Sequence, residues 1–343
     1  MKNQKLYAAI LAAIFAIGVN QVIANYWSPS SSNNTSTSLF SSAKKPVKKS
    51  NTIQVALLLD TSGSMDGLIE QAKSQLWQIL NLLAKTERQQ EETALEIALY
   101  EYGNSRRTSR GKQIRRISGF TKDMDRISEK LFALTTSGGD EYCGEVIMTS
   151  VEDLDWAADD SNMKMIYIAG NEPFTQGPIN YAKACQLAKK QNISVNTIFC
   201  GVCEEGIQSL WKQGADLAGG EYLCINQNEV TTYIETPYDD EINDLNEKLN
   251  ETYIPYGEKG KKKQATQRKQ DTNARTYSKA NAADRAAFKS SKKYKAEEWD
   301  LVDAYEKDKG VLKKTWEEKN LADTTQTITI EELEKKVEEA AAE

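Results

Sequence analysis

Gln54 to Gly67 reads QVALLLDTSGSMDG. Val55 to Leu59 is an unbroken apolar run, and it ends on Asp60, Thr61, Ser62, Gly63 and Ser64. A strand with one wet face alternates polar and apolar residues. A continuous run reads as a strand buried on both faces, the usual state inside a parallel sheet. The residues after it constrain the fold further. Leu68, Ile69, Ala72, Leu76, Ile79, Leu80 and Leu83 recur at helical spacing. Ala94 to Tyr102 alternates as a strand, and a turn at 103–111 leads to a second strand from Lys112 to Ser118. Helices are expected at 124–134, 145–157, 179–190 and 206–218, with strands at 164–169, 193–200 and 221–225 between them. Strands alternating with helices, with one hairpin among them, define an α/β fold: a doubly wound, mostly parallel sheet with helices on both faces. In such sheets ligands bind outside the carboxyl ends of the strands. Asp60 to Ser64, Gly138 to Asp140 and Gly170 to Pro173 should therefore meet along one edge.

Two chemistries suit Asp60 to Ser64. Asp and Ser are good helix caps, and a cap needs no ion. Alternatively, Asp60, Ser62 and Ser64 alternate, so a turn can aim their oxygens at one point, as a hard divalent cation requires. The chain contains no histidine. This excludes imidazole acid–base catalysis, Ser–His and Cys–His triads, and imidazole zinc sites. The formal charge of −6 argues against nucleic acid as a partner.

Asp60-Thr61-Ser62-Gly63-Ser64, placed after an apolar strand, resembles the DxSxS motif that opens the metal-ion-dependent adhesion site of von Willebrand factor type A (vWA) domains. The resemblance runs from about Thr52 to Asn228. It implies a vWA/Rossmann-like fold and a divalent cation, Mg²⁺ first, with Mn²⁺ or Ca²⁺ as alternatives. The family's second ligand is usually a threonine after a glycine pair. Here Asp140 follows Gly138 and Gly139, with Glu145 early in the next helix. The third is usually an aspartate after the fourth strand, where this chain has Asn171 followed by Glu172. An acid lost at Asn171 is offset by one gained at Asp140. The implied ligand set is Asp60, Ser62, Ser64, Asp140 and Asn171. The family's use of this site implies a protein partner, captured through an acidic side chain that completes the coordination. No nucleophile–base pair accompanies the motif, so a binding module is expected, not an enzyme.

The chain begins with Lys2 and Lys5 before an apolar run from Leu6 to Val19, and Val22 and Ala24 fit a cleavage pattern. Residues 1–24 read either as a cleaved signal peptide or as a retained membrane anchor. Residues 25–50 read as a Ser/Asn/Lys-rich tether. Both options imply export, to the periplasm or to its inner-membrane face, with secretion as a further option. Residues 51–228 form the domain. Residues 229–343 read as a helical, partly disordered tail, with a basic stretch from Glu258 to Lys295 and an acidic remainder. The basic stretch and the N-terminal segment are the candidate membrane contacts. The segment LNEKLNETYIPYGEKGKKK and the later WDLVDA resemble the tail of a group of bacterial exported proteins carrying this domain. All five cysteines, Cys143, Cys185, Cys200, Cys203 and Cys224, lie within the domain, and export favours disulfides. The expected pairing is Cys143 with Cys200 or Cys203; a redox pair of Cys200 and Cys203 and free buried thiols are the competing readings. A structural role at the membrane, with the ion only stabilising the fold, is the alternative function.

Overall fold

A computed structural model describes residues 52–85, 94–104, 113–159, 162–225, 236–291, 294–315 and 329–342. The leader, the tether and the stretch 226–235 lie outside the described residues. Among those described, no helix is long and apolar enough to cross a membrane.

Six strands form one sheet: β1 (Thr52–Asp60), β2 (Ala94–Tyr102), β3 (Ile114–Thr121), β4 (Met163–Gly170), β5 (Ile193–Cys200) and β6 (Tyr222–Ile225). Their order is β3-β2-β1-β4-β5-β6. All neighbours are parallel except the β2–β3 hairpin. This is the doubly wound α/β sheet expected from the sequence. The chain works outward from β1 to β3 and then returns to β4 on the other side. The strand order thus reverses between β1 and β4, where such sheets open a crevice at their carboxyl ends. Asp60 ends β1 and Asn171 follows β4, so both stand at that crevice.

The run Val55 to Leu59 is buried on both sides, as its lack of alternation requires. Ile53, Val55, Leu57 and Leu59 face one core layer with Leu76, Leu80 and Leu83 of α1 (Ile69–Lys85) and Ile127 and Leu131 of α2 (Met124–Phe132). Ala56 and Leu58 face the other, with Val146 and Ile147 of α3 (Cys143–Asp153) and Ala184 and Cys185 of α4 (Tyr181–Lys190). The expected helix over 206–218 is broken in two, α5 (Cys203–Gln208) and α6 (Trp211–Ala218). Leu210 between them has φ 71°, a left-handed conformation unusual for leucine. The break lets Trp211 bury fully and hydrogen-bond the Glu172 carbonyl at 2.8 Å.

The C-terminal region is more ordered than its composition suggests. Helices α7 (Asp239–Thr252), α8 (Gly257–Tyr277) and α9 (Lys279–Lys289) pack together, with α8 against α2 and α9 against α1. Phe288 of α9 joins the α1 core layer. Two further helices, α10 (Leu301–Lys307) and α11 (Ile330–Ala342), share a small cluster of Leu301, Leu312 and Val337. The basic segment is thus not wholly free for a membrane surface. Arg285 and Lys289 are buried and paired with Asp125 and Asp271 at 2.5–2.7 Å. Lys289 also donates to Asn246 and Asn250.

The pairing of Cys143 with Cys200 or Cys203 is not what forms. Cys203 pairs with Cys224, while Cys143, Cys185 and Cys200 are buried thiols. Register explains it. Cys224 lies on β6 opposite Phe199, so it stands beside the loop that starts α5. Cys143 enters the far core layer on α3 instead.

Candidate functional site

Three loops meet above β1 and β4. The first leaves β1 at Asp60 and makes one short 3-10 turn, Gly63–Met65, before α1 begins at Ile69. The Thr61 amide and hydroxyl both donate to the Tyr102 carbonyl, at 2.9 and 3.2 Å, which fixes the loop against the end of β2. The second runs from Thr135 to Tyr142 and is tied to the first by Ser137 N–H on the Thr61 carbonyl, 2.9 Å. The third follows Gly170.

The hydroxyls of the first loop do not act as caps. Ser62 precedes the 3-10 turn yet makes no side-chain capping bond. The Ser62 and Ser64 hydroxyls lie 2.9 Å apart, and Ser64 donates to Asn171 Oδ1 at 2.9 Å. Asn171 Nδ2 donates back to the Ser64 carbonyl at 3.1 Å. Asp60 Oδ1 accepts from the Ser62 amide at 2.8 Å. The other carboxylate oxygen, Oδ2, is buried with no hydrogen-bond partner. Burial pushes the Asp60 carboxyl up to about 7; its bonds to Ser62 oppose the shift, and Glu141 and Glu172 add to it. An orphaned oxygen on a fully buried carboxyl is a costly arrangement that a cation would relieve.

Asp60, Ser62, Ser64 and Asn171 are brought together as expected. Asp140 stands apart: its exposed carboxylate accepts from Gln113 Nε2 and from the Tyr142 hydroxyl, both at 3.1 Å. The neighbouring Glu141 is buried and turns inward. Burial raises its pKa, while a hydrogen bond from Ser62 lowers it and Glu172 raises it further. Sequence reasoning missed Glu141. Consecutive residues of an extended segment point to opposite sides, so of the pair Asp140-Glu141 only one can face the site. Nothing in GGDEY says which.

Glycines make the site possible. Gly103 has φ 76°, and a Cβ there would lie 2.6 Å from Asp60 Oδ1 and 3.2 Å from both Glu141 Cγ and Ser62 Cβ. The donor set is oxygen throughout, which suits a hard divalent cation. Among the described residues, no three acidic, cysteine or histidine side chains converge to hold an ion alone. A cation here would need the serine hydroxyls as well as carboxylate. Cys203 is bonded to Cys224 and not to Cys200, and burial raises the Cys143, Cys185 and Cys200 thiols above the ordinary value.

Strand order, hairpin and the Asp60 turn define a vWA-like α/β domain. No family model matches the chain, and no curated protein does. Solved structures with a similar fold include the protein BatB from Bacteroides thetaiotaomicron, with 14% identity over 52% of this chain and 95% of that one, TM-score 0.40. The SpRpn10 VWA domain shows 14% identity over 56% and 94%, TM-score 0.38. Proximal thread matrix protein 1 of the mussel byssus, whose metal-ion-dependent adhesion site carries zinc, shows 12% identity over 53% and 43%, TM-score 0.39. These are similarities of fold at low identity.

Proposed function

We propose that this chain is an exported binding module that captures a protein partner through a divalent cation at the edge of its sheet. The observation that carries the reading is the unpartnered, buried Asp60 Oδ2, set among hydroxyls that cap nothing and open to solvent at Ser64. Asp60, Ser62, Ser64 and Asn171 would hold the ion, with Mg²⁺ the first choice for an all-oxygen set. When bound, the ion supplies positive charge and an open coordination position for an oxygen of the partner. The residues of this chain do the rest. Asp60 gives up its proton and supplies charge, the serines orient, and Asn171 locks the third loop to the first. The Ser62 and Ser64 hydroxyls are tied to one another and to Asn171, an arrangement that favours capture over turnover.

The test is a pull-down from a cell-envelope extract with Mg²⁺ and with chelator, using wild type and Ser64→Ala. Chelation and Ser64→Ala should each release the same acidic partner. If neither does, the alternative gains: a structural component whose ion only stabilises the fold. Export is proposed from the basic start and apolar run of residues 1–24. A reporter active only outside the cytoplasm, fused at Asn51, should be active; a silent fusion would sink that part.

A further inference from the structure

We propose that Glu141, and not its neighbour Asp140, is the second acidic ligand of the cation site; this rests on the metal-site reading above. The two residues sit on one extended loop and take opposite sides of it. Asp140 is exposed, and its carboxylate is already engaged by Gln113 and Tyr142. Its amide is also held by the Gln113 side chain. Gln113 thus grips Asp140 at both ends and keeps it on the rim. Glu141 is the residue that goes in. Its amide donates to Gln176 Oε1 at 2.8 Å, which pins the backbone from outside, and its side chain is only 5% exposed. A Cβ placed on Gly103 would touch Asp60 Oδ1, Ser62 Cβ and Glu141 Cγ together, so these three side chains surround one small space.

Asp60 Oδ1 lines that space, and the second oxygen of the same carboxylate, Oδ2, is buried without a partner. Two buried acids around one small space, one of them with an oxygen lacking any donor, are costly unless something positive lies between them. A proton can serve one of them, and a divalent cation can serve both. Ser62 borders both acids: its amide donates to Asp60 Oδ1, and its Cβ lies with Glu141 Cγ around the Gly103 position. The acids lining this space are thus Asp60 and Glu141, while Asp140 positions the loop through Gln113.

The experiment uses the full chain stripped of metal. Mg²⁺ and Mn²⁺ are titrated by calorimetry, and melting is followed in parallel, for wild type, Glu141→Gln and Asp140→Asn. Glu141→Gln should bind each ion at least tenfold more weakly. It should melt no lower than wild type without metal, because it removes a charge beside Asp60. Asp140→Asn should bind within about twofold of wild type. If Glu141→Gln instead folds poorly, Glu141→Asp, which keeps the charge but withdraws it, should show the same tenfold loss. Wild-type affinity in the Glu141 variants, or a tenfold loss in Asp140→Asn, overturns the assignment while leaving the metal site standing. A wild type that ignores both ions overturns the assignment and the metal site together.

Discussion

Asp60 is the residue on which the site turns, and its burial makes stability depend on pH in a defined direction. In the unfolded chain it ionises near 3.8; in the ion-free fold its carboxyl is pushed up to about 7. Between those values the unfolded state binds fewer protons than the folded one. Ion-free stability contributed by Asp60 is therefore full below about 4 and is lost as pH rises toward about 7. A cation reverses this, because it replaces the proton, so its stabilising effect grows over the same window. Melts in chelator should fall from pH 5 to pH 8 in wild type and less steeply in Asp60→Asn. Added Mg²⁺ should raise the wild-type melt more at pH 8 than at pH 5. Two matching profiles for wild type and Asp60→Asn would assign the pH effect elsewhere. Asp60, Ser62 and Ser64 were legible because their spacing is local. Asn171 was legible because it follows a buried strand. Glu141 was not, because its direction depends on how Gln113 and Gln176 grip the loop, and those contacts span tens of residues.

At the scale of elements, the alternation of strands and helices was readable because strands buried on both faces are mostly apolar and lack the helical spacing of the segments between them. The break at Leu210 was not readable. The pattern over 206–218 is helical throughout, but the chain turns left-handed at Leu210, next to Trp211, which buries against Phe174 and Phe199. The cysteine pairing failed for a related reason. Which thiols meet is a matter of register: β6 sets Cys224 beside the start of α5, and sequence spacing carries no such information. The bond joins residues 21 apart in sequence. Closing a loop of that size should stabilise the fold by about 3 kcal/mol through the unfolded chain. Non-reducing peptide mapping should find Cys203 joined to Cys224 with three free thiols. Cys203→Ser should lower stability by roughly 2–4 kcal/mol. A Cys143 linkage in the map would contradict this sheet register.

For the molecule as a whole, the C-terminal helices belong to the structure. Charge runs usually mark a solvated face, and the sequence between Glu258 and Lys295 reads that way. What its composition hides is that Arg285 and Lys289 are one and two helical turns from Asn281, which donates to Ser74 of α1 at 3.2 Å. On that face they meet Asp271 and Asp125. Burial alone would raise Asp271, yet Arg285 and Lys289 outweigh it and hold its carboxyl below the ordinary value. Removing one partner of such a buried network strands the others. Arg285→Ala should cost about 3–5 kcal/mol, measured by denaturant unfolding of the full chain. A loss below about 1 kcal/mol would mean that the helices are held by something other than these charges.

Phe288 gives the packing of α9 a consequence in time. Synthesis runs from the N-terminus, and domains tend to fold as they emerge. Here the α1 layer of the core is closed by a residue that lies far C-terminal to the last strand. Until it emerges α1 and α2 present an apolar socket, with Asp125 beside it lacking Arg285. A nascent chain, or one threaded through a translocation channel, passes through a stage with a complete sheet and an open flank. That stage is the one a chaperone or a protease would meet. A chain cut short before Phe288 would stay in it.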